Sequence, residues 1–203
     1  MNPKSMNRKL LFTLALLFLF TLDTLAQQEL GNFNQERLQI NKVGMMVLGG
    51  WALANFGTNG VLLSNPSSNE QGHFYRMNIF WNVVNLGLAI PGLRHSLITD
   101  PSTLNLAETV GEYHQMGKVL LMNAGLDVAY ITGGFLMKEM AKNREGKRGI
   151  LRGYGRSLIL QGGFLLAFDI ILYSVLQSKS NQLTDILNHV QLSPNSVGLV
   201  WRF

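Results

Sequence analysis

The chain has 203 residues, of which 47% are hydrophobic and only 14% are charged, against about 25% charged residues in a typical soluble protein. This composition excludes a disordered chain, and the lack of cysteine excludes disulfides, thiolate metal sites and cysteine nucleophiles. The net charge of +5 is local, because seven basic and two acidic residues lie between Lys138 and Arg156. A single basic segment flanked by apolar blocks argues against a nucleic-acid groove.

The amino terminus has the three parts of a secretory signal peptide. Basic residues precede an apolar run over 10–20, and a small-residue pattern ends at Ala26. We therefore predict a signal peptide over 1–26, cleaved after Ala26. A retained anchor helix is the alternative, and in both cases Gln27 starts outside the cytoplasm.

Four apolar blocks follow a polar lead-in over 27–41, which we predict to be an extracytoplasmic, interfacial helix. Each block has about 20 residues without period-two alternation, which is typical of transmembrane helices and not of barrel strands. The blocks cover residues 42–63, 74–93, 116–137 and 153–176. We predict an all-α fold, an integral membrane four-helix bundle over 42–177 that follows the signal peptide and precedes an extracytoplasmic C-terminal tail over 178–203.

The predicted topology places the chain in the inner (cytoplasmic) membrane as a multi-pass protein. An outside start and four crossings leave the mature N- and C-termini extracytoplasmic and the basic segment inside, as the positive-inside rule requires. We expect Arg148, Arg152 and Arg156 to contact anionic lipid headgroups at this cytoplasmic loop. The partly alternating end over 197–203 leaves open an outer-membrane association through Phe203.

Polar residues recur at helical spacing inside the blocks. Asn78, Asn82 and Asn85 are spaced by four and three residues, which places three amides on one helix face. In the third block Asn123, Asp127 and Tyr130 repeat this spacing. In the fourth block Asp169 is aligned with Gly162 and Tyr173, with Gln161 on the flank of that stripe, and in the first block Asn55 lies on a broad face with Gly44, Trp51 and Asn59. Glycine pairs at 49–50, 133–134 and 162–163 permit close helix approach. The pattern predicts a bundle that packs on its polar stripes.

Asp127 and Asp169 are the residues that most need an explanation. A carboxylate in the middle of a span costs about 2.5–3.5 kcal/mol, so each acid must be protonated, paired or hydrated. No Lys or Arg lies at the same depth in any block, and we expect hydrogen bonds to neighbouring polar groups: Asn82, Asn85, Asn123, Gln161 or Tyr130. The acids and amides form either interhelical hydrogen bonds or a path or pocket for a proton, a cation or a small polar ligand.

No established catalytic or metal-binding motif occurs. His95 and His114 bracket the second loop with Glu108 and Glu112, but their spacing matches no metal site. We expect no catalytic residue, no metal, no cofactor and no nucleic-acid partner, although an intramembrane enzyme using one of the two aspartates as acid or base stays open.

Three strings in the blocks resemble those of an uncharacterised family of small bacterial four-span membrane proteins, over about residues 35–177. The strings are Met77-Asn78-x-x-Trp81-Asn82-x-x-Asn85, Gly125-Leu126-Asp127-x-x-Tyr130 and Gln161-Gly162-x-Phe164-Leu165-Leu166-x-Phe168-Asp169. The resemblance implies a polar core and supplies no activity, cofactor or substrate.

The sequence favours a non-enzymatic structural or accessory membrane component of unknown specific activity. Its polar core would serve helix packing, in a homo-oligomer or with a membrane partner. The alternative is a proton- or cation-coupled transporter or channel component that uses Asp127 and Asp169.

Overall fold

The structure is a computed structural model that describes the backbone of residues 8–191 and the side chains of residues 27–188. Its helices are α1 (Arg8–Leu63), α2 (Asn69–Ile98), α3 (Leu106–Met140), α4 (Arg148–Gln177) and α5 (Ser180–Gln191). Two short 3₁₀ turns, Ala141–Asn143 and Glu145–Lys147, join α3 to α4. The part of the chain that is described has no strand, which confirms the all-α prediction.

Side-chain caps fix where the second and third helices begin. The Ser68 hydroxyl accepts a hydrogen bond from the backbone N–H of Gln71, so α2 starts five residues before the predicted block. At α3, Asn105 and Glu108 form a reciprocal capping box. Glu108 is therefore part of a helix start.

Helix α1 passes without a break through the predicted lead-in and into the first apolar block. Its 56 residues make it about 84 Å long. The predicted cleavage site at Ala26 lies within its backbone, and cleavage there stays a prediction. Of the predicted tail, Ser180–Gln191 forms α5, and residues 192–203, with Phe203, lie outside the described part.

The four long helices pack in the order α1, α2, α4, α3. Helix α2 lies along both α1 and α4, and α3 lies along α4, whereas α2 and α3 meet at few positions, among them Trp81 and Tyr130. Helices α3 and α4 approach each other closely at Gly134 and Gly155. A Cβ added to either glycine would lie 2.6 Å from the carbonyl oxygen of the other, so only glycine fits at this crossing.

A cluster of apolar side chains, here the apolar cluster, closes the end of the bundle where α5 packs on α1. It joins the lead-in, the start of α3, the end of α4 and α5. Its buried members are Phe33, Tyr113, Leu120, Leu172, Leu176, Leu183 and Ile186. The lead-in and α5 are thus packed parts of the fold.

Three described segments are long and apolar enough to cross a membrane: Gln27–Leu63, Leu106–Asn143 and Glu145–Asn188. Helix α2 does not meet this criterion. Asn78, Asn82 and Asn85 lower its hydropathy, and all three point inward with at most 2% of their surface exposed. The second predicted span therefore has a polar inner face and is less apolar as a whole.

Candidate functional site

Asn78 is the centre of a buried hydrogen-bond network that joins three helices. Its side-chain carbonyl accepts bonds from the Ser157 hydroxyl at 2.7 Å and from the Gln161 amide at 3.0 Å, both on α4. Its own amide donates to Asn59 on α1 at 3.1 Å. The Trp51 indole N–H donates to Gln161 at 3.0 Å, so α1, α2 and α4 are connected by direct side-chain bonds.

The remaining predicted amides bond close to their own position on the helix. Asn82 donates to the carbonyl oxygen of Asn78 at 2.7 Å, and Asn85 donates to the Asn82 side chain at 3.5 Å. Asn55 donates to the carbonyl oxygen of Trp51 on its own helix. Asn82 and Asn85 thus bond within α2, and Gln161 bonds to Asn78 and Trp51, which differs from the expected bonds to the two aspartates.

Asp127 on α3 and Asp169 on α4 face each other, with 2% and 4% of their surface exposed. Their carboxyl groups lie within hydrogen-bonding reach, and such a bond needs one proton between them. Gly162 permits this approach, because a Cβ there would lie 3.1 Å from the carbonyl oxygen of Asp127. Within the described residues, no donor reaches the buried Oδ2 of Asp127.

The two acids line a cleft of about 660 Å³ between α1, α2, α3 and α4. Asn123 and Tyr130 from α3 and Trp81 from α2 lie at the same end, with the Trp81 and Tyr130 rings edge to face at 4.7 Å. The indole N–H of Trp81 is buried and has no acceptor in the described part of the chain. This end of the cleft, here the acidic end, therefore holds an unsatisfied donor and an unsatisfied acceptor.

A buried ion pair lies at the other end of the cleft. Arg37 from α1 pairs with Glu112 from α3 at 2.5 Å, and the Arg37 side chain is only 5% exposed. Arg37 also donates to Asn34 at 3.4 Å, which in turn donates to the Thr109 hydroxyl at 2.8 Å. His95 approaches Glu112 at 3.7 Å.

Sequence reasoning missed this ion pair, since the lead-in carried no catalytic signal and its arginine lay outside the apolar blocks. The spacing of Phe33 and Arg37 by four residues, one helix face, is the signal that could have indicated a buried arginine. The residues around Arg37 do not indicate that its partner is Glu112, which lies on another helix.

Two of the three arginines expected at lipid headgroups contact an acid of the same chain. Arg156 bonds to Glu70 at 3.0 Å and Arg152 lies 3.8 Å from it. Arg156 also lies over the Phe74 ring at 5.3 Å. These contacts tie the start of α4 to α2, and Arg148 is the first residue of α4.

Of the histidines and acids around the second loop, the structure brings His95 and Glu112 together, and it does not gather all four. Within the described residues, no group of three His, Asp or Glu side chains could hold a metal ion. His95 and Glu112 meet at the cleft, while Glu108 caps α3.

A comparison with protein families matches residues 47–170 to DUF6992, a family of unknown function. The chain belongs to this family. Searches of curated proteins and of solved structures return no match. The resemblance to an uncharacterised family is confirmed, and no specific activity comes with it.

The DUF6992 segment contains the whole amide network and both aspartates. It takes in α2 and α3 completely and ends at Ile170, directly after Asp169. Arg37 and α5 lie outside it. The family match therefore covers the acidic end of the cleft, and the ion-paired end is shared between this segment and the part of α1 that precedes it.

Proposed function

We propose that the chain is an integral protein of a bacterial inner membrane, in which four helices cross the bilayer after a signal peptide that is cleaved at Ala26. The observation that carries this proposal is that large apolar side chains face outward while polar side chains are buried between the helices. The exposed large hydrophobic side chains fall within 43–62, 80–98, 119–140 and 150–175, whereas the amide network and the two acids are buried. A water-exposed bundle would show the opposite arrangement.

This distribution supports α2 as a membrane span in addition to the three apolar segments. Phe80, Val83 and Ile90 on α2 are exposed by 60%, 55% and 63%, and lipid is the solvent that suits such a face. The inward asparagines are then hydrogen-bonded within protein, which is the condition under which polar groups are tolerated at membrane depth.

The proposed orientation has the loop between α3 and α4 in the cytoplasm. It places the apolar cluster, with the lead-in and α5, on the extracytoplasmic side. Arg148 at the start of α4 would then contact anionic lipid headgroups, as would Arg152 and Arg156 beyond their contacts with Glu70.

We infer a non-enzymatic structural or accessory role for the bundle, alone, as a homo-oligomer or with a membrane partner. The Asn78 network supports this role because its bonds are satisfied between helices and specify how α1, α2 and α4 pack. The comparisons give no support to a proton- or cation-coupled transporter, and we do not propose one.

The membrane setting and orientation can be tested by cysteine labelling, since the chain has no cysteine of its own. Ser102→Cys lies in the loop between α2 and α3, and Gly146→Cys lies in the loop between α3 and α4 with open space at its Cβ. In intact spheroplasts, a membrane-impermeant maleimide should label Ser102→Cys and should label Gly146→Cys only after permeabilisation. Labelling of both sites without permeabilisation, or recovery of the protein in the soluble fraction, would contradict the proposal.

A further inference from the structure

The acidic end of the cleft has two buried groups that the protein leaves without partners. Asp127 Oδ2 is an acceptor and Trp81 Nε1 is a donor, and both residues line the cleft. Buried polar groups in folded proteins are almost always paired, so the unpaired acceptor beside a second carboxyl group needs an explanation. The amide network close by is satisfied, whereas Arg37 Nε and Glu112 Oε2 at the other end of the cleft, and His73 Nδ1 outside it, are also buried without a hydrogen bond.

The two carboxyl groups also lack a counter-ion. Within the described residues, no Lys, Arg or His nitrogen pairs with Asp127 or Asp169, and Arg37 is paired with Glu112. Glu112 and Asp127 are separated by 15 residues of α3, which is about 22 Å. The acidic end therefore has carboxyl groups and aromatic rings but no cation of its own.

The cleft holds about 660 Å³, and its two polar ends are about 22 Å apart along α3. The walls between its two polar ends are apolar, and they include Leu48, Leu88, Met116, Leu120 and Leu172. Such a space suits an alkyl chain better than a column of water, because water needs two or more polar partners at each position.

The cleft is open on one side, between α2 and α3. Val84 and Leu88 on α2 line it and are exposed by 39% and 56%, and Val119 and Leu126 on α3 line it and are exposed by 40% and 44%. In the proposed membrane setting this opening faces the hydrocarbon region. A hydrophobic ligand could enter along it without crossing water.

We propose that the cleft binds one single-chain amphiphile whose ammonium headgroup lies between Asp127 and Asp169. The ammonium donates hydrogen bonds to both carboxyl groups, including the unpaired Oδ2, in place of the proton that they otherwise share. The Trp81 and Tyr130 rings beside it add cation–π attraction. The alkyl chain lies along the apolar walls. This inference goes beyond the proposed structural role, and it depends on the membrane setting only for the route of entry.

Binding of radiolabelled dodecylamine, as its ammonium ion, to the purified full chain in phosphatidylcholine nanodiscs tests this. Partition into empty nanodiscs is subtracted. We expect saturation at one molecule per chain, with unlabelled dodecanol and dodecanoate competing at least tenfold more weakly than unlabelled dodecylamine. Competition by dodecanol as strong as that by dodecylamine, or uptake that does not saturate, would overturn the proposal.

Two kinds of variant locate the site. Asp127→Asn with Asp169→Asn should weaken binding at least tenfold, whereas Glu139→Gln, which removes an exposed carboxylate at the far end of α3, should leave it unchanged. Val119→Trp fills the half-exposed wall without touching the acids and should weaken binding by a similar factor. All variants are compared after gel filtration shows the wild-type profile. Unchanged binding in both the double variant and Val119→Trp would refute the assignment.

Discussion

The glycine crossing between α3 and α4 gives the sharpest test of how this bundle is held together. Gly155→Ala adds one carbon atom 2.6 Å from the carbonyl oxygen of Gly134 and 3.1 Å from Cγ of Lys138. The lysine stem can move, but the carbonyl oxygen belongs to the helix backbone. To reach an ordinary contact distance, α3 and α4 must separate by about 1 Å.

The expected cost follows from two opposing effects. Overpacking of this kind costs about 1–3 kcal/mol, and alanine regains about 1 kcal/mol of helix propensity over glycine. Because the clash is between backbones, we expect the upper half of that range and a net loss of about 1–2 kcal/mol in the free energy of unfolding. For a chain of this size that corresponds to a melting temperature lower by roughly 2–8 °C.

Gly163→Ala is the matched control on the same helix, because a Cβ at Gly163 meets nothing within 4 Å. It should keep the propensity gain alone and melt at or slightly above the wild-type temperature. The measurement is the fraction of monodisperse protein that remains after heating, in one detergent for all three proteins. If Gly155→Ala melts as high as wild type, or Gly163→Ala falls as far as Gly155→Ala, the assignment of the crossing is wrong.

Two further predictions concern the buried polar groups. Asn78→Leu removes three interhelical bonds that in a membrane are worth about 0.6 kcal/mol each on average, so the free energy of unfolding should fall by about 2 kcal/mol. Asn55→Leu breaks a bond only within α1 and should change stability far less, and equal losses in a denaturant titration would count against the network. Glu112→Gln leaves Arg37 buried without its counter-ion and should cost about 3–5 kcal/mol. The exposed Glu139→Gln should cost less than about 1 kcal/mol, and a small loss for both variants would show that the Arg37 pair contributes little.

Helical periodicity placed three amides of α2 on one face, whereas Asn55 and Asn123 are half-buried and the buried Asn34 was not predicted. The spacing of Asn78, Asn82 and Asn85 places them on one face, and each is at most 2% exposed. The two aspartates were each expected on a polar stripe of their own helix, and the structure brings both to one cleft. These features depend on the spacing of residues within one helix, so local sequence contains the information.

Features that depend on how neighbouring helices are positioned could not be predicted. In two of the three glycine pairs, only one member is in close contact: Gly134 and Gly162 touch the neighbouring helix, while the adjacent glycines face open space. A rotation of a helix by one residue would exchange the two roles. The pairing of Arg37 with Glu112 joins residues far apart in sequence, and no spacing rule connects them.

Hydrogen-bond partners were harder to predict than burial. Gln161 was expected near the aspartates and instead bonds to Trp51 and Asn78. Along α4, Gln161 and Asp169 are eight residues apart, about 12 Å, so a side chain on one stripe can serve only the neighbours at its own depth. The position of each side chain along the helix axis decides between these partners. Helical periodicity does not determine which residues of two neighbouring helices lie at the same position along that axis.

In the proposed setting, different effects stabilise the two ends of this chain. Phe33 and Leu183 of the apolar cluster lie outside the predicted spans, so their contacts are stabilised by the exclusion of water. The spans themselves pack against each other within lipid. Stabilisation by water exclusion weakens on cooling and in urea, and lipid-embedded packing lacks that dependence. The extracytoplasmic end of the molecule should therefore loosen in the cold while the bilayer-embedded helices remain assembled.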